Sequence, residues 1–218
     1  MAFKSKLAAF LRRRGKIAFL ASLPPQSALM DVGCGNNSPY RTKLIRPDCH
    51  YTGIDIGDYN QTQPNAADRY VLTTPENFAS EIGQFSKQFD AVISAHNLEH
   101  CDHRQATLEA MLQAIKPGGK IYLAFPCEAS TAFPKRQGTL NYYDDPTHQL
   151  MPPDFDEVMV TLRERGFSFI YTSRRYRPLP FRILGLLLEP MSWFQKKVFK
   201  GTWEYYGFES IIWARRNN

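Results

Sequence analysis

The chain has little to offer in sulfur chemistry: among 218 residues there are four cysteines, Cys34, Cys49, Cys101 and Cys127, and no C-x-x-C pair. Such spacing argues against a zinc ribbon or a thioredoxin-type motif and, with no secretory pattern ahead of it, predicts reduced thiols in a cytoplasmic compartment. No apolar run approaches the roughly 20 residues that a membrane-spanning helix needs. No internal repeat or low-complexity tract is present, which excludes repeat architectures. Acidic residues are also missing from the start. None precedes Asp31, whereas Lys4, Lys6, Arg12, Arg13, Arg14 and Lys16 crowd that segment of a chain with formal charge +6. A transit peptide shares this composition, but the segment runs into the first apolar strand after only a Pro24-Pro25 turn. Phe3, Leu7, Phe10 and Leu11 recur at helical spacing, so residues 1–24 are expected to form a basic amphipathic helix packed on the domain.

The remainder can bury a core, because 43% of the residues are hydrophobic and the charges are mixed. Short apolar runs at 28–32, 51–56, 69–72, 89–94 and 120–125 alternate with helix-length segments. That grammar predicts a parallel, doubly wound α/β sheet. Leu108, Met111, Leu112 and Ile115 form one helical stripe, with Asp102 as its expected cap and Pro117-Gly118-Gly119 as its end. After Pro152-Pro153-Asp154, Phe155, Val158, Met159 and Leu162 form another, closed by Gly166. Two last strands, 167–173 and 208–214, are joined by a long segment and are placed to pair antiparallel.

Chemistry is expected at the carboxyl edge of the sheet. "DVGCGNNS" (31–38) sits where the first strand turns into the first helix, and Gly33 and Gly35 let the backbone approach a ligand closely. Asp55 ends the next strand, where a carboxylate accepts hydrogen bonds from ribose hydroxyls, so an adenosine-containing ligand is expected. NAD-binding oxidoreductases use the same arrangement. Their third glycine would fall at position 38, where Ser38 stands, which makes NAD the second choice.

"LMDVGCGNNSPYR", "YTGIDI", "FDAVISAHNLEH" and "AIKPGGKIYLAFP", in this order over about positions 28–126, resemble the class I S-adenosylmethionine-dependent methyltransferases, near the small-molecule type 11 group. The resemblance implies a seven-stranded sheet of order 3-2-1-4-5-7-6 with strand 7 antiparallel and helices on both faces. It also implies contacts from Asp31, Gly33 and Gly35 to the methionine portion of S-adenosylmethionine and from Asp55, with the adjoining Ile56, to the ribose. Asn37 replaces a glycine usual in the family, and asparagine tolerates the positive φ needed there. Glu76 and Asn77 are the candidates near the adenine.

His96, Glu99 and His100 spell H-x-x-E-H, a zinc-ligand signature when both imidazoles share a helical face. Here His96 ends a strand, so no metal is expected. The resemblance instead sets this stretch beside the methyl-donor sulfur, with His96 and Asn97 in the cofactor pocket. Glu99 and His100 have two readings, a polar pair stabilising the loop or a part in acceptor chemistry.

If the acceptor is a hydroxyl, a base near neutral pKa is needed, and His148 in "LNYYDDPTHQLMPPDF" is the candidate. Tyr142 and Tyr143 would wall the site and Asp145 would orient His148. The competing reading makes Asp144-Asp145-Pro146 a plain turn. The expected function is O-methylation of a small-molecule or lipid- or glycan-linked acceptor. A noncatalytic S-adenosylmethionine-binding protein is the alternative. No nucleic acid is expected, since no N/D-P-P-Y/F tetrapeptide follows the fourth strand.

The insertion 174–200 carries Arg174, Arg175, Arg177, Arg182, Lys196, Lys197 and Lys200 against Glu189, around an apolar run from Ile183 to Leu188. Beyond Pro190, Met191, Phe194 and Val198 would share one helical face and the lysines another. A helical pair packed on the sheet or on a second subunit is one expectation. Peripheral contact with anionic membrane is the other. The expected division is thus 1–24 helical segment, 25–173 cofactor core and acceptor loop, 174–203 insertion and 204–218 final strand.

Overall fold

The computed structural model describes residues 11–148 and 150–218. Phe3, Leu7 and Phe10 of the expected N-terminal helix lie outside them. The described elements are α1 (Lys16–Ala21), β1 (Ala28–Val32), α2 (Ser38–Ile45), β2 (His50–Asp55), β3 (Arg69–Leu72), α3 (Phe78–Gly83) and β4 (Phe89–Ala95). They continue with α4 (Arg104–Ala114), β5 (Ile115–Pro126), α5 (Phe155–Glu164), β6 (Phe167–Ser173), α6 (Leu179–Gln195), α7 (Thr202–Tyr206) and β7 (Glu209–Arg216).

The strands form one seven-stranded sheet of order β3-β2-β1-β4-β5-β7-β6. β7 runs antiparallel to both β5 and β6, and the remaining pairs are parallel. Runs such as Leu29–Val32 and Ala91–Ile93 are solvent-free because both sheet faces are covered. On one face Ile82, Met111, Leu112 and Leu162 pack on Val32, Ile54 and Leu123. On the other, Phe19 and Leu20 of α1 meet Tyr51, Tyr122 and Trp213. Each such large apolar side chain, fully buried, contributes about 1.5–3 kcal/mol.

The expected stripe in α5 is seen, and Asp154 caps it by accepting from the backbone N–H groups of Asp156 and Glu157 at 2.8 and 3.0 Å. α4 differs from expectation at both ends. His103 rather than Asp102 occupies its N-cap position, with no side-chain cap bond. Ile115, read as part of the helical stripe, opens β5 opposite Phe89. Pro117 biases the residue before it away from helical backbone, and the β-branched Ile115 finds a strand partner.

The insertion also departs from its expected pattern. α6 is one continuous helix that stops at Lys196, whose φ of 48° is left-handed, so Lys196, Lys197, Lys200 and Val198 share no helical face with Met191 and Phe194. Its buried side is small and polar, formed by Gly185 and Ser192 with the partly buried Glu189 between them. A Cβ at Gly185 would lie 2.0 Å from the carbonyl oxygen of Gly201, which explains why the α6–α7 crossing requires glycine there. The apolar residues face outward instead: Leu187, Trp193 and Phe194 are 71%, 70% and 80% exposed. Because β6 ends and β7 begins at the carboxyl edge of the parallel strands, residues 174–208 lie on the same edge as the glycine loop.

Candidate active site

The loop after β1 is built to leave room. Gly33 takes φ +74°, and a Cβ there would stand 2.4 Å from Asn97 Oδ1. Gly35 is less confined: its Cβ would lie 3.3 Å from Tyr59 Cβ and 3.4 Å from Asp55 Oδ2. Asn36 and Asn37 continue the turn at φ 52° and 62°, a region asparagine enters more readily than most residues. Asn37 then spends its side chain on Thr62, donating to its hydroxyl and accepting from its backbone N–H at 3.2 Å. Any contact from Asn37 to a cofactor therefore falls to its backbone. Gln61 donates to the Cys34 carbonyl at 3.0 Å, and Asn36 N–H donates to the Tyr59 carbonyl at 2.9 Å. This strap, 57–62, escapes sequence reasoning because its anchors are backbone groups and two asparagine side chains of the glycine loop, more than twenty residues away in sequence.

Asp31 lies beneath the loop, 1% exposed. Its Oδ2 accepts from Lys16 Nζ, Ser38 Oγ and Tyr51 OH at 2.9, 2.6 and 2.8 Å, whereas the buried Oδ1 has no partner among the described residues. Asp31 thus has one open acceptor for the ligand expected above it. Asp55 ends β2 at 6% exposure, and its Oδ1 accepts from Ile56 N–H at 2.8 Å. Burial raises the Asp55 pKa, although backbone N–H groups of Ile56, Gly35 and Gly57 oppose the shift.

Asp55 and Ile56 open onto a cleft whose far wall is Pro75, Glu76, Phe78 and Ala79 and whose near wall includes Asn97, His100 and Cys101. Glu76 therefore stands where the adenine side was expected, while Asn77 occupies the position before α3 and is not among the lining residues. The apolar part of that wall went unread in the sequence, because "VLTTPENF" carries no motif. An orphaned carboxylate oxygen, glycines that a methyl group would fill, and a recessed acid at the strand end together fit S-adenosylmethionine.

The H-x-x-E-H residues divide. Leu98–His100 is a single 3₁₀ turn, so the motif lacks the helical face that zinc binding in that pattern requires. His96, with φ 54°, turns towards β7: its Nε2 is 2.7 Å from Glu209 Oε1 and its Nδ1 is 3.2 Å from Glu99 Oε1. Burial alone would favour the neutral ring, but hydrogen bonding with Glu209 and the charges of Glu209 and Glu99 prevail, raising its pKa to about 10. The His96 imidazolium, packed beside Trp203 and Phe208, ties the end of β4 to the start of β7 rather than lining the Asp55 cleft. Asn97 does line it.

The long loop after β5 brings His148 onto the same ground. Asn141 and Asp144 form a capping box around Tyr142–Asp144. His148 is 7% exposed, stacks on Tyr142 at 4.2 Å between ring centroids, and stands 4.7 Å from the His100 ring. Its Nδ1 donates to the Tyr142 carbonyl at 2.6 Å, so Nε2 carries the lone pair. Asp145 does not orient it; Asp145 Oδ1 instead accepts from the Thr147 backbone and hydroxyl at 2.9 and 2.6 Å. Tyr143 is 46% exposed, with its hydroxyl directed to Met151 Sδ at 3.2 Å. Desolvation lowers the His100 pKa, with Glu99 opposing.

Strand order, a glycine loop after the first strand and an acid ending the second define the class I methyltransferase fold. The chain belongs to the methyltransferase domain family, whose model matches residues 3–171. It is 31% identical over 106 residues to a ubiquinone biosynthesis O-methyltransferase of Saccharophagus degradans, covering 45% of this chain and 43% of that protein. A malonyl-[acyl-carrier protein] O-methyltransferase of Enterobacter lignolyticus is 29% identical over 143 residues, 63% of this chain and 54% of that one. The match thus spans about half or less of these curated relatives. Among solved structures, an S-adenosylmethionine-dependent methyltransferase from Archaeoglobus fulgidus aligns over 97% of this chain and 94% of its own at 18% identity, with a TM-score of 0.57. Phosphoethanolamine N-methyltransferase 2 of Haemonchus contortus, in complex with S-adenosyl-L-methionine, aligns over 98% of this chain and 52% of its own at 15% identity and TM-score 0.62.

Proposed function

We propose that the chain catalyses S-adenosylmethionine-dependent O-methylation of a small-molecule or lipid-linked acceptor. The observation that carries the oxygen preference is His148. Its Nδ1–H is held by the Tyr142 carbonyl, its Nε2 lone pair is free to take a hydroxyl proton, and its neighbour His100 belongs to the cofactor cleft. The names of the ubiquinone and malonyl relatives point to oxygen acceptors as well.

S-adenosylmethionine supplies an electrophilic methyl group. The chain's residues do the rest: Asp55 with Ile56 holds the ribose, Gly33 and Gly35 admit the methionine end towards Asp31, and Asn97 closes the loop from the β4 side. Tyr143 walls the acceptor, and His148 Nε2 accepts its proton. Alignment of the two reactants and removal of water supply most of the acceleration.

The lipid-linked part of this reading rests on α6. Leu179, Ile183, Leu186, Leu187, Trp193 and Phe194 present apolar surface to solvent, with Arg182, Lys196 and Lys197 exposed around it. An exposed apolar patch edged by cations suits the interface of an anionic bilayer. No helix among the described residues is long and apolar enough to cross a membrane. Flotation with anionic and neutral vesicles tests it. Binding to anionic vesicles that weakens in Trp193→Glu and at high salt supports docking; a homodimer that buries the patch and ignores vesicles rejects it. Methyl transfer to phenolic acceptors, followed with labelled cofactor, tests the reaction itself.

A further inference from the structure

We infer that Glu99, His100 and His148 form a binding site for one first-row divalent transition-metal ion at the acceptor end of the proposed active site. The inference deepens the O-methyltransferase reading and rests on it for the role of the ion, though not for its binding. One ligand atom from each of the three side chains lies within 4.8 Å of the others.

The hydrogen bonds around the cluster occupy Nδ1 of both imidazoles and leave each Nε2 as an acceptor. His148 Nδ1 donates to the Tyr142 carbonyl at 2.6 Å, which leaves Nε2 unprotonated in the neutral ring. The Thr147 hydroxyl donates to Asp145 Oδ1 at 2.6 Å, so its oxygen can serve His100 Nδ1, 3.1 Å away, only as an acceptor. His100 is thereby fixed in the same tautomer, with its Nε2 lone pair open. Outer-shell bonds of this kind, from Nδ1–H to a carbonyl or hydroxyl, are how metal-ligating imidazoles are oriented.

Glu99 supplies an independent observation. The residue is 2% exposed, and neither carboxylate oxygen has a hydrogen-bond partner among the described residues. His96 Nδ1 comes within 3.2 Å of Oε1, close enough for charge attraction but without hydrogen-bond alignment. A buried carboxylate without hydrogen bonds is costly, and here it stands beside two imidazole lone pairs. The His96 imidazolium lies beside Oε1 but is not part of the cluster, and the cluster itself holds three acceptors and no donor, a set that suits a cation.

The donor set indicates which kind of cation. Two imidazoles and one carboxylate suit Zn²⁺ or a neighbouring transition ion, whereas Mg²⁺ and Ca²⁺ prefer oxygen throughout. Bonds of about 2.0–2.2 Å would require the three side chains to close by on the order of 1 Å. Three protein ligands leave a coordination position for the acceptor hydroxyl. Coordination would weaken its O–H bond, and the proton would leave to solvent water, with no change in oxidation state. His148 Nε2 would then be a ligand rather than the proton acceptor.

Equilibrium dialysis with Zn²⁺ and absorption spectroscopy with Co²⁺ test the site on the full chain. The expected result is one equivalent bound per chain. Glu99→Gln and His148→Ala should each weaken binding by more than the roughly 10- to 100-fold typical of losing an outer-shell partner. His50→Ala, at an exposed site in another part of the sheet, should change nothing. S-adenosylhomocysteine affinity in the same variants reports whether they are folded. Absence of a bound equivalent in a protein that binds S-adenosylhomocysteine overturns the metal site and leaves the methyltransferase reading intact. Loss of Zn²⁺ binding in His50→Ala but not in Glu99→Gln also overturns it. Methyl transfer that survives chelation but fails in His148→Ala rejects the ion's role and returns His148 to being the base. Specific metal binding without transfer to any hydroxyl supports the site and rejects O-methylation.

Discussion

Arg136 grips Glu189 with both ends of its guanidinium, Nη2 to Oε1 at 2.6 Å and Nη1 to Oε2 at 2.8 Å, and thereby ties the loop after β5 to the buried side of α6. The same guanidinium donates to Ser192 Oγ at 2.5 Å, and Tyr206 OH donates to Glu189 Oε1 at 2.6 Å, which brings α7 into the network. Bidentate pairs of this kind are geometrically specific as well as strong. Arg136→Ala would leave the partly buried Glu189 carboxylate with Tyr206 as its remaining donor and should destabilise the protein by up to about 3–5 kcal/mol, measured by urea unfolding. Equal unfolding midpoints would show that α6 is held by other contacts.

The same network predicts a pH dependence. Burial pushes the Glu189 carboxyl up, but hydrogen bonds from Arg136 and Tyr206 and the Arg136 charge outweigh it, so its pKa lies below the ordinary glutamate value. A carboxylate depressed in the folded state adds stability above its unfolded pKa of about 4.3, and that increment is lost as pH falls through the lower folded value. The Tm advantage of the wild type over Glu189→Gln should therefore be full at neutral pH and shrink in acid below about pH 4. An advantage that grows in acid would contradict the pairing.

Asp55→Ala should weaken S-adenosylhomocysteine binding by about 1.5–3 kcal/mol, the usual worth of hydrogen bonds to a charged group, with the fold retained. Titration calorimetry measures it. An unchanged dissociation constant in a folded variant would mean that Asp55 does not hold the ribose.

Gly33→Ala should abolish cofactor binding, since the new Cβ would lie 2.4 Å from Asn97 Oδ1 and 2.5 Å from Asn97 Cβ at a φ of +74°. Pairing it with Asn97→Gly removes the clash and leaves only the left-handed penalty of roughly 1–2 kcal/mol, so the double variant should regain part of the affinity. Absence of any recovery would place the fault in the loop backbone rather than in Asn97.

His148→Ala should lower turnover by about 10²–10⁴ if Nε2 takes the acceptor proton, with little change in cofactor affinity. Single-turnover assays at saturating cofactor read this directly. Full activity would leave alignment by the surrounding walls as the better account.

The order of elements and the position of the glycine loop and Asp55 at strand ends were legible in the sequence because both depend on local signals. Alternating apolar runs mark strands buried on two faces, and Gly33, Gly35 and Asp55 sit at strand ends, where position along the chain is position in space. The division of "SAHNLEH" was not legible: spacing treats His96, Glu99 and His100 as one motif, whereas a left-handed His96 sends its ring to Glu209, distant in sequence and adjacent only through the β5–β7 pairing. Nor does local pattern reveal that His148 meets His100, since a loop after β5 decides it. α6 is the clearest case. Its apolar stripe reads as a core face, but the close approach of Gly185 to Gly201 and the Arg136–Glu189 pair select the small, polar side for burial. Amphipathic periodicity identifies the two faces of a helix; which face is covered depends on the partner, and only tertiary packing supplies one.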